Sequence, residues 1–279
     1  MMNKKIRIAL LDLNNNHPNQ GFKNIEDLTK AFKENSEEEI SIQIFDVRYR
    51  CEIPNVDDFD IFISSGGPGT PLREGYIWEE KYSEFLDGIW QHNLEKEEKK
   101  YLFLICHSFQ LAVLHWDLAH VCPRKSDSFG VMPVHKTLEG KDEFLFQNLP
   151  DPFYAIDSRS FQCIEPDDEK LELFDMKIVA MEKIRPHVKL ERAIMAIRFS
   201  DEIFGTQFHP EAEPIGFMEN LKVETNKQTM IRHHGLDKYQ ETLDRIDDPD
   251  KIILTQAQII PRFLKDAKEK ILKNRMEMA

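Results

Sequence analysis

The first 120 residues alternate apolar strand-like runs with helical stretches, and this limits the chain to few folds. Lys5–Leu13 (KIRIALLDL) is an apolar run that ends in the polar loop Asn14–Gly21. A helical stretch follows from about Asn24 to Asn35, and Ile40–Val47 alternates with period two. Asp60–Ser65 stops at Gly66-Gly67-Pro68-Gly69, and Tyr76–Asn93 reads as a helix with an aromatic face. Tyr101–Ile105 is a fully apolar strand that passes straight into a helical pattern, His107–Ala119. Strands separated by helices of this length require right-handed crossovers. The expectation is a three-layer α/β/α arrangement whose central sheet is mainly parallel and covered on both faces.

From Phe129 to about Phe208 the texture becomes β-rich, with segments Val131–Thr137, Phe153–Gln162, Lys177–Ile184, Arg192–Phe199 and Ile203–Phe208 joined as hairpins. After Pro214 the chain turns helical and charged. Leu236, Tyr239, Leu243 and Ile246 recur at helical steps, Asp247–Asp250 breaks the pattern, and Ile260, Phe263/Leu264, Ala267 and Ile271 form a second stripe. This gives an α/β domain over 1–213 and a helical C-terminal extension over 214–279, packed on it. Trp78, Tyr82, Phe85 and Trp90, with Tyr76, read as a core or interface face of their helix.

Charge removes several functions. With 37 basic residues against 50 acidic ones the formal charge is −13, which argues against nucleic acid and anionic lipid as partners. No apolar run approaches the roughly 20 residues of a membrane span, and the N-terminus has no signal-peptide pattern. Four scattered cysteines (Cys51, Cys106, Cys122, Cys163) without a C-x-x-C suit a reducing cytoplasm. Adjacent His233 and His234 would diverge on a helix by about 100° and cannot chelate one metal together. No metal or cofactor is expected.

Ligands of open α/β sheets collect beyond the carboxyl ends of the strands, and three unusual segments fall there. Cys106, in Leu104-Ile105-Cys106-His107-Ser108, sits at a strand-to-helix junction that can lift a nucleophile above the sheet edge; a buried structural cysteine is the plain alternative. Phe208-His209-Pro210-Glu211 offers a base with a carboxylate two residues on, able to fix its tautomer, or else a solvated loop histidine. His-x-Glu also serves zinc deaminases, but their downstream Pro-Cys-x-x-Cys is absent. Ser64–Pro71 lacks the Gly-Lys-Ser/Thr of a phosphate loop; it suits an oxyanion hole or a plain glycine turn. His17 lies in a polar loop at another strand end.

In order and spacing the three segments resemble the class I glutamine amidotransferase family, from about Lys5 to Glu211. The resemblance rests on Ser-Gly-Gly-Pro-Gly-Thr-Pro, the cysteine with Gln110 four residues on, Phe129-Gly130-x-x-Pro133-Val134, and Gly205-x-Gln207-Phe208-His209-Pro210-Glu211. It implies a flavodoxin-like fold in which Cys106 is the nucleophile, His209 the base and Glu211 its orienting carboxylate. The amides of Gly67 and His107 would form the oxyanion hole, and Gln110 would help hold glutamine. Ser160 corresponds to a family position whose backbone binds the amino-acid end of glutamine. The implied activity is glutamine hydrolysis through a thioester, with ammonia supplied to a separate synthase chain. The branch closest by motif is the GMP synthase amidotransferase domain.

Two departures bear on this. The family has glycine two residues before and two after the cysteine, where this chain has Leu104 and Ser108. The family's Trp/Tyr-His segment reads Asp157-Ser158-Arg159-Ser160. They keep two alternatives open: a γ-glutamyl peptide hydrolase with the same triad, and an inactive binding protein of the same fold. The surroundings of Leu104 predict that it is accommodated and the elbow stays intact.

Overall fold

The structure, a computed structural model, describes residues 5–187, 189–248 and 251–278. Its centre is a nine-stranded sheet among the described residues, in the order β2-β1-β3-β4-β9-β8-β7-β5-β6. The strands are β1 (Ile6–Asp12), β2 (Ile40–Asp46), β3 (Ile61–Ser64), β4 (Tyr101–Ile105), β5 (Ala119–Lys136), β6 (Phe153–Pro166), β7 (Lys177–Glu182), β8 (Ile194–Arg198) and β9 (Ile203–Thr206). The first five in spatial order, β2 to β9, run parallel; from β9 outward each pairing is antiparallel. The fold is thus a mixed-sheet, three-layer α/β/α, flavodoxin-like arrangement, closed by a long C-terminal helix.

The apolar runs follow from the two covered faces. On β1, Ile6, Ile8 and Leu10 enter one core while Ala9 and Leu11 enter the other; on β4, Tyr101, Phe103 and Ile105 divide in the same way from Leu102 and Leu104. The first core is roofed by α1 (Gln20–Glu34) and by the long helix α9 (Ile252–Glu277). Phe263 of α9 meets Phe103 edge-on at 5.2 Å. At its far end Arg275 donates to the buried Asp60 at 2.8 Å and to the Lys5 carbonyl. The second core lies under α2 (Ile77–Glu95) and α3 (His107–His115). Two short helices, α4 (Leu138–Asp142) and α5 (Asp168–Leu173), bridge the strands of the antiparallel half.

A third apolar cluster covers the outer half of the sheet, where Val131 and Ile156 pack with helices α6 (Pro214–Lys222), α7 (Glu224–His234) and α8 (Leu236–Ile246). Three local expectations are corrected. The helix after Cys106 ends at His115, because Asp117 takes a left-handed turn (φ 51°) and β5 begins at Ala119. Leu236, assigned to an apolar stripe, is the first residue of α8 and is exposed; Tyr239, Thr242 and Ile246 carry the buried face. Tyr76 precedes α2 and is likewise exposed, whereas Trp78, Tyr82 and Phe85 are buried. Of the expected break at Asp247–Asp250, Pro249 and Asp250 lie outside the described residues.

No helix among the described residues is long and apolar enough to cross a membrane.

Candidate active site

At the end of β4 the chain turns through Cys106 with φ 50° and ψ −97°, a conformation a side chain rarely tolerates. Neighbours hold it there. The Cys106 amide donates to the Thr206 carbonyl at 2.7 Å, and the Gln110 amide to the Cys106 carbonyl at 2.9 Å. Ser108 stitches the turn: its Oγ accepts from the Ile105 amide at 2.8 Å and contacts the Ser64 carbonyl at 2.9 Å. A serine in the family's glycine position therefore ties β3, β4 and α3 together. Leu104 is fully buried and the elbow is intact.

Cys106 lies on a cavity of about 470 Å³ at the carboxyl edge of the parallel strands. His209 and Glu211 face the same cavity, with His209 Nδ1 2.7 Å from Glu211 Oε1. The His209 amide donates to the Ile156 carbonyl at 2.9 Å, which pins the histidine segment to β6, and the buried Phe208 ring anchors it below. Burial alone would lower the His209 pKa, but the charge of Glu211 and the hydrogen bonds to Glu211 and Cys106 outweigh it and hold the imidazole well above its usual value. Glu211 is buried, and the first turn of α1 at Gly21 packs directly on it, placing the positive end of that helix against the carboxylate.

The remaining expected residues, Gly67, His107, Gln110 and Ser160, also line the cavity, and so does His17. Among the described residues neither the Gly67 nor the His107 amide has an acceptor within the protein. Burial, followed by Arg48, pushes the His107 imidazole down to about 3, so that side chain is neutral. The Gln110 side chain has a partner of its own, Gln207, whose Oε1 accepts from Gln110 Nε2 at 2.9 Å.

Sequence reasoning missed four contributors. A Cβ on Gly66 would come within 3.0 Å of His209 Cε1 and 3.6 Å of Cys106 Cβ, so the catalytic-looking pair fits only over a bare backbone. Gln207 donates to the Cys106 sulfur at 3.6 Å. Arg48 donates to the Leu13 and Pro68 carbonyls and lies 4.9 Å above the Trp78 ring, bracing the glycine loop. Arg159 is the fourth. Where the family carries Trp/Tyr-His, Asp157 and Arg159 turn inward: Arg159 Nε bonds both Asp157 oxygens at 2.9 and 3.0 Å, and Glu182 accepts from Arg159, Arg124 and Arg185. Arg159 Nη1 is buried without a partner, while Ser158 and Ser160 stay exposed on the cavity side. Among the described residues no three His, Cys, Asp or Glu side chains gather as a metal site would need.

The family model described as glutamine amidotransferase class I matches residues 24–222, a span that holds the cysteine elbow and the His209–Glu211 pair. The chain belongs to the class I glutamine amidotransferase family. Similar solved structures include a glutamine amidotransferase of Thermotoga maritima, with TM-score 0.65 and 16% identity over 95% of this chain and 98% of that one. Another is a glutamine amidotransferase of Methylobacillus flagellatus, with TM-score 0.60 and 13% identity over 97% and 95%. A putative GMP synthase subunit protein of Thermoplasma acidophilum aligns with TM-score 0.51 and 20% identity over 76% of this chain and 86% of its own. At such identities these amidotransferase likenesses speak for the fold. No curated protein matches the chain.

Proposed function

We propose that this family member is a working glutaminase, hydrolysing the side-chain amide of glutamine through a thioester on Cys106. The observation that carries the reading is the strained Cys106 elbow sharing one cavity with a His209 whose Nδ1 is held by Glu211 at 2.7 Å. His209, its pKa held up by Glu211 and the neighbouring cysteine against burial, is the base that takes the Cys106 proton to give the attacking thiolate. The thiolate attacks the carboxamide carbon, and the oxygen's growing charge is met by the Gly67 and His107 amides. The imidazolium proton passes to the nitrogen, the carbon–nitrogen bond breaks and ammonia leaves. His209, now neutral, takes a proton from water, which cleaves the thioester to glutamate and returns the cysteine. Gln110 and Ser160 line the route of the substrate's amino-acid end.

The ammonia goes to a synthase carried on a separate chain, and Phe129-Gly130-x-x-Pro133-Val134 together with His209-Pro210-Glu211 favours the GMP synthase-like branch. The decisive experiment is mass spectrometry after incubation with a glutamine analogue bearing an electrophile in place of the amide. An adduct on Cys106 is expected. Labelling only by γ-glutamyl peptide analogues would move the substrate to that class, and labelling by neither would end the reading.

A further inference from the structure

Cys106, Gln110 and Gln207 form a chain of contacts closed by the α3 backbone, and the hydrolysis steps make no use of it. Gln207 is fully buried, and its own amide donates to the Met195 carbonyl at 2.8 Å, fixing the backbone at the end of β9. Its side-chain oxygen accepts from Gln110 Nε2 at 2.9 Å, and its side-chain nitrogen lies 3.6 Å from the Cys106 sulfur. Gln110 is one turn into α3, bonded by its amide to the Cys106 carbonyl.

His209 is hydrogen-bonded to Cys106, and a further polar neighbour of the sulfur is the Ser158 carbonyl at 3.8 Å, which can accept from a thiol and repels a thiolate. We propose that Gln207 is a second hydrogen-bond donor, beside His209, that stabilises the Cys106 thiolate, and that Gln110 is its positioning residue. The charged and titratable groups around the sulfur are His209 and Glu211 beyond β9, Arg159 and Cys163 on β6, and His107 on α3. All are unchanged in the Gln207 and Gln110 variants, so a shift in thiol titration reports the amide. Gln207 thus acts in the ground state and in the collapse of the thioester, when sulfur leaves with its charge. The inference deepens the proposed chemistry at Cys106 but can be tested without any substrate.

The experiment is the pH dependence of Cys106 alkylation by iodoacetamide in the full chain, read at that cysteine by peptide mass spectrometry. Gln207→Met, of similar length and without an N–H, should move the midpoint up by about one pH unit and slow alkylation at neutral pH about tenfold. Gln207→Glu, close in shape but acceptor-only when ionised, should move it up further. Gln110→Met, which frees the donor without removing it, should give a smaller upward shift. A folded Gln207→Met protein that keeps the native titration midpoint would overturn the proposal, as would a lowered thermal midpoint with unmoved titration. If Gln207→Met does not fold, the neutral Gln207→Leu decides by the same reading, since a charged replacement would itself shift the thiol. Shifted titration in a chain without glutaminase activity would uphold the inference while removing the function proposed above, and unshifted titration in an active glutaminase would do the reverse.

Discussion

Leu104 of β4 stands directly opposite Gly205 of β9, whose bare backbone makes room for the Phe109 and Phe199 rings that pack with the leucine in one core. A Cβ on Gly205 would lie 2.7 Å from a Phe109 ring carbon, 2.9 Å from Phe199 and 3.4 Å from Leu104 Cβ. Leu104 is ordinary core. Leu104→Gly should therefore cost about 3–5 kcal/mol by urea unfolding and should not raise activity. Gly205→Ala should cost about 1–3 kcal/mol through overpacking. An increase in turnover for Leu104→Gly would mean that the leucine holds the elbow out of shape.

Gly66→Ala tests the glycine loop from the other side. The added methyl would press on His209 Cε1 at 3.0 Å, inside ordinary contact. A displacement of the imidazole by about 1 Å can cost about 10²-fold in rate. Steady-state kinetics should show that loss with the thermal midpoint little changed. Equal activity would place His209 outside the reaction.

The triad predictions follow from charge. Cys106→Ala should abolish turnover, and His209→Asn should lose about 10²–10⁴-fold, the usual worth of a general acid–base group. Combining the two should cost no more than the worse one alone, since they act as a unit. Glu211→Gln keeps the imidazole but removes the anion that raises its pKa, so its loss should be smaller and its pH profile shifted to lower pH. Stability should follow the same proton. A histidine whose pKa is raised on folding stabilises the fold fully below its unfolded value, and that contribution fades as pH rises through the raised one. The stability gap between native chain and Glu211→Gln should accordingly be larger near about pH 6 than near about pH 10. A gap that widens with pH would contradict the pairing.

The strand ends that carry Cys106 and the His209 segment were legible because apolar runs stop there, while the roles expected of Cys106, His209 and Glu211 came from the family resemblance. Most of the parallel half of the sheet was legible for the same reason, since β1, β3 and β4 are covered on both faces and have little polar alternation, while the edge strand β2 shows the period of two. Ala119–Ser128 was not, because this stretch of β5 is polar, pairs with β6 through a bulge between Pro123 and Ser128, and has one side open to solvent. Gly66, Gln207 and Arg159 stand in segments the sequence singles out, but their roles were not legible, for a different reason. Their importance lies in what folding brings next to them: His209 against Gly66, Cys106 against Gln207, Glu182 against Arg159. Gln207 carried one signal, its place two residues before His209 on the inward side of the chain.

Arg159 allows a separation of charge from packing. Its guanidinium is fully buried between Asp157 and Glu182, and Arg159→Met would leave both carboxylates short of a partner. Breaking a buried pair by deleting one side costs about 3–5 kcal/mol. Arg159→Lys keeps the charge but cannot bond both Asp157 oxygens and Glu182 together, and should recover only part of that stability. A neutral result for Arg159→Met in calorimetry would mean that Arg124 and Arg185 suffice for both acids.

The long helix α9 sets the last expectation, because it lies far from the chemistry in sequence and directly behind it in space. Ile259, Ile260, Phe263, Leu264, Ala267 and Ile271 are all buried in the core that also holds Phe103, Ile105 and Phe208, the strand-end residues beneath the cysteine and the histidine. Burying a large apolar side chain is worth about 1.5–3 kcal/mol, so the five larger ones together contribute on the order of 10 kcal/mol. That equals the whole stability of a typical domain, about 5–15 kcal/mol. A chain cut after Asp248 should therefore fail to fold cooperatively, and Phe263→Ala alone should cost about 3–5 kcal/mol. Circular dichroism and thermal unfolding of the shortened chain decide the matter. A soluble protein with a sharp transition and an alkylatable Cys106 would show that the sheet closes without α9, and that the buried stripe serves something other than the core.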